Sequence, residues 1–477
     1  MRNNINPNGY KQRAVKLIQE RKYDEAIIEY DNLLRVKGEN PDVYVLRGEC
    51  YYFKHDFDAA LADYTRAIQL QPDFAKAYRY RGETYYKKAD LEAALADYTA
   101  AIALDQSSAE AYQRRAQIFF LQDQYHKVIE DCTQAINLDP DFPFVFHYRG
   151  RAYYEIGEFE KAVADFTAEI SLYADFPVDE TGEALEKRGK AYAMLGSLDR
   201  AILDYDESIR INPEAASSYY HRALAYMNKD NPELYQYKLA LEDLNKTSEL
   251  DPDCKWVYKW RGDLYGHLGE FDKAIADLTK AVKLFPKDSY ILFLRGIMWR
   301  NKNNHEKALA DFSKALKLDP KNALILRERG VIHRVWQRNF EMALADFTQA
   351  IEVHPEDPET WGLRGLTFYA TGDFQRAISD LTEAIRLNPE DADYYDSRGD
   401  LFLETNAWAL AIADFNKAVA LDGDQEEAVY KRGIAYHRNG DYQKAIADYE
   451  AVLKWHINRD FKAEVAARLR AAKGGRW

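Results

Sequence analysis

Apolar residues fall along this chain in paired stripes of helical spacing. In residues 41–73 (PDVYVLRGECYYFKHDFDAALADYTRAIQLQPD), Val43, Tyr44, Gly48 and Tyr51 form one stripe and Ala60, Tyr64, Ala67 and Ile68 a second. His55, Asp56 and Phe57 stand between them. The corresponding turn residue elsewhere is Gly157, Gly196, Gly269, Gly372 or Gly440, or else Asn303 or Asn406. Gly and Asn tolerate the left-handed conformation that ends a helix. A proline closes many of the units (Pro72, Pro140, Pro213, Pro252, Pro286, Pro320, Pro355, Pro389), because it cannot continue the second helix. The pattern predicts a helix-turn-helix hairpin, repeated.

The repetition is marked by arginine: Arg13, Arg47, Arg81, Arg115, Arg149, Arg188, Arg222, Arg261, Arg295, Arg329, Arg364, Arg398 and Arg432. Nine of the twelve intervals are 34 residues, and the others are 39, 39 and 35. Ten of these arginines precede glycine and three precede alanine. A fixed period of this size predicts a solenoid, since one unit is too small to bury its own apolar face and stacks on its neighbours. Small residues in both helices (Gly48 and its counterparts, Ala60, Ala94, Ala162 and onward) predict close helix contact. The large residue four positions after each alanine (Tyr64, Tyr98, Phe166, Tyr205, Leu278, Phe312, Phe415, Tyr449) is expected in the core.

The spacing Tyr44-x2-Arg47-Gly48-x2-Tyr51, followed by Ala60-x3-Tyr64 and Pro72, resembles the tetratricopeptide repeat. It recurs thirteen times over residues 7–459, with one systematic departure: arginine stands where the pattern has leucine before the glycine. The resemblance implies an all-α, right-handed superhelical solenoid and a protein that binds other proteins. Residues 460–473 break the repeat grammar and are expected to form a helix capping the array.

Each arginine has an acid at constant spacing. It lies sixteen residues on in most units (Glu29, Asp63, Asp97, Asp131, Asp165, Asp204, Asp277, Asp311, Asp380, Asp414, Asp448), 17 on at Asp346 and 21 on at Asp243. Ion pairs within or between hairpins are expected, on the rule that buried charges are paired. Two units carry five extra residues, around 173–182 and 228–237, and each surplus is read as a loop able to contact a partner.

Composition narrows the function. With 79 acidic and 65 basic residues the formal charge is -14, which disfavours nucleic acid and anionic membrane surfaces. No apolar run reaches the roughly 18 residues of a membrane span, and the N-terminus lacks a signal-like apolar stretch. Cys50, Cys132 and Cys254 form no disulfide framework or metal spacing, so a cytoplasmic location is expected. No HExxH, GxSxG, phosphate loop or dinucleotide fingerprint occurs, and the histidines are scattered; the chain reads as non-enzymatic, with no cofactor and no metal.

By the family's pattern the first helix of each unit lines a concave groove. Its inward positions lie two, three and six residues before the glycine and one and four after it. The Lys, Asn and Arg trio that the family uses to clamp a C-terminal carboxylate is absent, as is an asparagine ladder. The middle of the chain offers aromatic candidates instead: Phe144, His147, Tyr148 and Tyr154, then Tyr220 and His221. Trp256, Lys259 and Trp260, then Tyr290, Phe293 and Arg327, continue the series. Trp256 and Trp260, four apart, share a helical face. Further on, these positions turn acidic: Glu359, Asp393, Asp396, Asp400, Glu404 and Glu427. The expectation is a scaffold that holds a peptide or protein segment in this groove. The alternatives are a homo-oligomeric self-assembler and a receptor for a short free peptide or small ligand.

Overall fold

A computed structural model describes residues 7–173, 179–229, 232–422, 426–455 and 459–474. Among the described residues there are 27 α-helices and no strand. The first 26 pair into thirteen antiparallel-neighbour hairpins, from Pro7–Gln19 with Tyr23–Lys37 to Glu426–Asn439 with Tyr442–Val452. They pack as two compact units, Met1–Cys254 and Lys255–Trp477. Within each unit a helix touches its hairpin partner and the next helix in the chain. First helices of successive repeats also touch each other, as do Ala109–Leu121 and Pro143–Glu155 in one unit and Trp256–His267 and Ser289–Asn301 in the other.

The helix ends follow from side chains. Asp56, Asp90, Asn304 and Asp373 each accept a hydrogen bond from the backbone N–H three residues on, at 3.1–3.2 Å, and so start the second helix. The turn before it requires one left-handed residue. Gly157, Gly196, Gly269, Gly372 and Gly440 have φ of 72–87°, and Asn303 and Asn406 have 56° and 60°. His55, Ala89 and Asp123 adopt the same conformation, at φ 62°, 62° and 57°, so the hairpin geometry overrides their own preference.

Tyr64, Tyr98, Phe166, Tyr205, Leu278, Phe312, Phe415 and Tyr449 are all buried in the core. Each meets the helix glycine sixteen residues before it. A Cβ built on Gly296 would lie 2.5 Å from Cε1 of Phe312, and one on Gly48 would lie 2.7 Å from Cε1 of Tyr64. Gly82 is more forgiving, with its nearest neighbour at 3.2 Å. Gly296→Ala is therefore expected to destabilise the protein by about 1–3 kcal/mol through overpacking. Gly82→Ala is expected to cost less, and paired denaturant titrations measure the difference.

The repeat arginines bind in three directions. Arg295 donates from Nε and Nη2 to the two oxygens of Asp311, both at 2.7 Å, and from Nη1 to Thr279 Oγ1 at 3.2 Å. The fork closes its own hairpin, and the third donor ties it to the second helix of the preceding repeat. Arg81, Arg115, Arg149, Arg188, Arg364 and Arg398 do the same with Thr65, Thr99, Thr133, Thr167, Thr348 and Thr382. Arg47 and Arg222 use Asp31 and Asp206 in that place.

Part of each insertion is helical. Residues 174–178 and 230–231 lie outside the described residues, but helix Asp179–Met194 runs 16 residues and Leu234–Leu250 runs 17, against 13 and 14 in most repeats. The surplus expected as loop therefore lengthens a helix by about a turn at 179–182 and 234–237. Helix Arg459–Lys473 lies on the last hairpin, with Val465 and Ala472 buried and the Phe461 ring edge-on to Tyr430 at 5.0 Å.

Candidate functional site

The sequence-derived residues fall in both units. In the first, helix Pro143–Glu155 carries four of them. Phe144 is 47% exposed, touching Phe142 edge-on at 6.4 Å. His147 turns toward the second helix of its hairpin, with Nδ1 3.1 Å from Glu169 Oε1. Tyr148 leans on the preceding repeat, 6.0 Å from the Phe120 ring. Tyr154 packs edge-on to Phe159 at 5.4 Å, and burial raises its phenol above the usual range.

Tyr220 and His221 stand on helix Ala216–Met227, two repeats later. His221 stacks on Tyr205 at 6.1 Å; burial, helped by the nearby Lys190 ammonium, drives its imidazole down to about 3, so it is neutral in the physiological range. Tyr154 and His221 share the wall of one pocket of about 430 Å³, with Lys190, Met194, Leu198 and Leu224. The structure thus brings these two candidates together, whereas His147 and Tyr148 face other neighbours.

In the second unit the aromatics gather on a lysine. Lys259 Nζ lies 5.6 Å from the Trp256 ring, 5.2 Å from Trp260 and 5.1 Å from Tyr290, and 3.1 Å from Asp288 Oδ2. Trp256 also stacks on Phe285 at 4.2 Å. Lys259 is held as the centre of this cluster and does not stand free, yet Trp256 and Tyr290 remain 45% and 44% exposed. Phe293 lies in the core, 8% exposed and 6.0 Å from the Phe312 ring, because its place on helix Ser289–Asn301 faces the hairpin partner. Arg327 is occupied by Asp357 at 3.0 Å and Glu359 at 2.7 Å.

The later acidic positions are partly neutralised within the fold. Lys431 Nζ sits 2.8 Å from both Asp396 and Asp400 and 3.8 Å from Glu427. Burial outweighs this lysine and pushes the Asp400 carboxyl up to about 6. Since the folded value exceeds the unfolded one, near 3.8, this group stabilises the fold most below pH 3.8. That contribution, about 3 kcal/mol between the limits, is lost as the pH rises through 6. A carbon-detected NMR titration is expected to place the Asp400 midpoint near 6; a midpoint near 3.8 would contradict the burial argument.

Several groups on these faces were not singled out in the sequence. Arg151, Lys187 and Lys190 line a second pocket beside Tyr154. Arg151 and Lys190 each follow a repeat glycine, and Lys187 lies two before one, so all three occupy inward positions of the repeat pattern. Among the described residues no helix is long and apolar enough to cross a membrane, and no group of three or more His, Cys, Asp or Glu is placed to hold a metal.

Comparison with models of protein families agrees with this architecture. A tetratricopeptide repeat model matches residues 260–323, 332–392, 363–426 and 397–463. A second, described as TPR repeat, matches 82–123 and 189–230, and a third, again tetratricopeptide repeat, matches 41–74 and 109–142. The chain belongs to the tetratricopeptide repeat family. None of the curated proteins matches it. Among solved structures it is similar to the APC/C hetero-tetramer Cut9-Hcn1, at 16% identity over 90% of this chain and 96% of that one, with a TM-score of 0.43. It is also similar to yeast Tom70, at 18% identity over 98% and 96% with a TM-score of 0.36. A further likeness is to YrrB, a TPR protein with an unusual peptide-binding site, at 21% identity over 40% and 97% with a TM-score of 0.36. Tetratricopeptide arrays are protein-interaction scaffolds and are generally non-catalytic.

Proposed function

We propose that this protein is a non-enzymatic scaffold whose first-helix face holds a segment of another protein. The observation that carries this reading is the exposed pair Trp256 and Tyr290, 45% and 44% accessible while fixed by Lys259, Asp288 and Phe285. Large rings already immobilised lose little entropy on binding, and exposed Trp and Tyr are the residues that dominate protein contacts. The pocket lined by Tyr154, His221, Met194 and Leu224 offers a second apolar seat within the first unit. The charge of -14 argues against nucleic acid as the partner. Cys50 and Cys132, both buried, fit a reducing cytoplasm, and burial pushes the Cys50 thiol up to about 12.

Affinity capture from a native cell extract tests the reading, with the wild-type chain beside Trp256→Ala/Tyr290→Ala at matched helicity and melting. At least one protein retained by the wild type is expected to be lost from the variant. Identical retained sets would reject the aromatic face as the binding surface.

A further inference from the structure

Lys190 stands on helix Asp179–Met194, one residue after the repeat glycine Gly189. Its side chain is 20% exposed, and its Nζ lies 2.5 Å from Glu186 Oε1. Glu186 is itself buried and accepts from Ser217 Oγ at 2.8 Å, which fixes the carboxylate from the next first helix, Ala216–Met227.

The amine opens on the pocket of about 430 Å³, a volume within the roughly 300–1,000 Å³ of small-molecule sites. The wall is made of rings and aliphatic chains: Tyr154, Tyr205 and His221 beside Met194, Leu198 and Leu224. His221 stacks on Tyr205 and is neutral, so among the described lining residues Lys190 alone is charged.

The setting of Lys190 differs from that of the other lysines. Glu186, Glu183 and Lys187 surround it from its own helix, Arg151 and Tyr154 from Pro143–Glu155, and Ser217 and His221 from Ala216–Met227. Burial, with help from Lys187, outweighs the two carboxylates and holds the Lys190 ammonium below its usual range. Lys431, between Asp396 and Asp400, moves the other way, as do Lys22, Lys54, Lys229 and Lys273 beside their own carboxylates. A desolvated lysine in an apolar pocket is an activated nucleophile toward carbonyl carbon.

We propose that Lys190 is the nucleophile of a carbonyl-capture site, condensing with an aromatic aldehyde seated in this pocket. Glu186 takes a proton from the ammonium, and the freed Nζ lone pair forms the C–N bond while the carbonyl pair moves to oxygen. The second amine proton passes to that oxygen, giving a carbinolamine. Glu186 then returns its proton to the hydroxyl, which leaves as water as the nitrogen pair closes the C=N bond. The balance is ammonium plus aldehyde to iminium plus water, with no oxidant or reductant. The positive charge stays on nitrogen, still paired with Glu186, and the ring lies among Tyr154, Tyr205 and His221. This site is independent of what the first-helix face binds.

Reductive trapping with the full chain tests the assignment. The protein is treated with benzaldehyde or with formaldehyde, sodium cyanoborohydride is added, and the label at each lysine is followed by peptide mass spectrometry. Lys161 and Lys273, 58% and 63% exposed, are the reference amines. Benzaldehyde is expected to label Lys190 at least about 10-fold faster than either, the margin that burying one ring supplies. Formaldehyde has no ring to bury and is expected to show a smaller preference. The benzaldehyde preference is expected to widen as the pH falls, because the Lys190 ammonium gives up its proton more readily than usual. In Lys190→Arg the fast label is expected to disappear while the reference lysines react as before. Labelling of Lys190 no faster than the references, an equal preference with both aldehydes, or a preference that narrows as the pH falls would overturn the capture site. None of these results bears on the protein-binding reading, which the capture experiment above decides.

Discussion

Arg295→Ala is expected to cost about 3–5 kcal/mol, because it strands a buried carboxylate. The Asp311 side chain is 5% exposed and its two oxygens receive both arms of the Arg295 fork, at 2.7 Å each. Removing the arginine also breaks its 3.2 Å hydrogen bond to Thr279 in the preceding repeat. The pair itself adds less than this figure, since much of its attraction offsets desolvation. Arg295→Met/Asp311→Leu, which removes both charges, is therefore expected to recover most of the loss. Arg13, 50% exposed beside Glu29, provides the contrast: a solvated pair of the same sequence spacing, whose removal is expected to change stability far less. Urea unfolding of the four proteins measures all three expectations. Equal losses at Arg13 and Arg295 would show that burial does not set the cost.

Phe312→Ala is expected to destabilise by a similar amount, about 3–5 kcal/mol, through lost burial and the cavity left behind. Its ring is fully buried, touches Phe293 at 6.0 Å and fills the space that the missing Cβ of Gly296 leaves open. The two positions are therefore coupled. Gly296→Ala, destabilising in the wild type, is expected to cost little or to stabilise when Phe312 is already alanine, because the added methyl then enters the cavity. A double-mutant cycle by denaturant unfolding measures this coupling. Additive effects would mean that glycine serves helix packing by some route other than the ring.

Much of this architecture is legible in the sequence. Arg295 and Asp311 are recognisable as a pair because their sixteen-residue spacing recurs, and the left-handed turns can be placed from Gly157, Asn303 and their counterparts. The third arm of each arginine is equally periodic, since Thr65, Thr99, Thr133 and Thr279 each stand two residues after the pairing acid. Its meaning depends on how one hairpin sits against the previous one, which spacing within a repeat does not specify. The site divides along the same line. Trp256, Lys259 and Trp260 share a helix face by spacing alone, but Phe285, Asp288 and Tyr290, which fix them, come from the following segment. Phe293 satisfies the inward-position rule and still packs on Phe312, because which way a first-helix residue leans depends on the size of its hairpin partner. Arg151 and Lys190 were reachable by applying the inward positions to every repeat; their convergence on one pocket required the packing of neighbouring hairpins.

The most direct test of protein binding by the first-helix face is site-specific photo-crosslinking in the native cell extract. A benzophenone side chain is placed in turn at Phe144, at Tyr290 and at Leu203, which is 66% exposed on the second helix Leu198–Ile211. Adducts with another protein are expected from Phe144 or Tyr290 and not from Leu203. Adducts from Leu203 alone, or from none of the three positions, would contradict a scaffold that binds through its first helices.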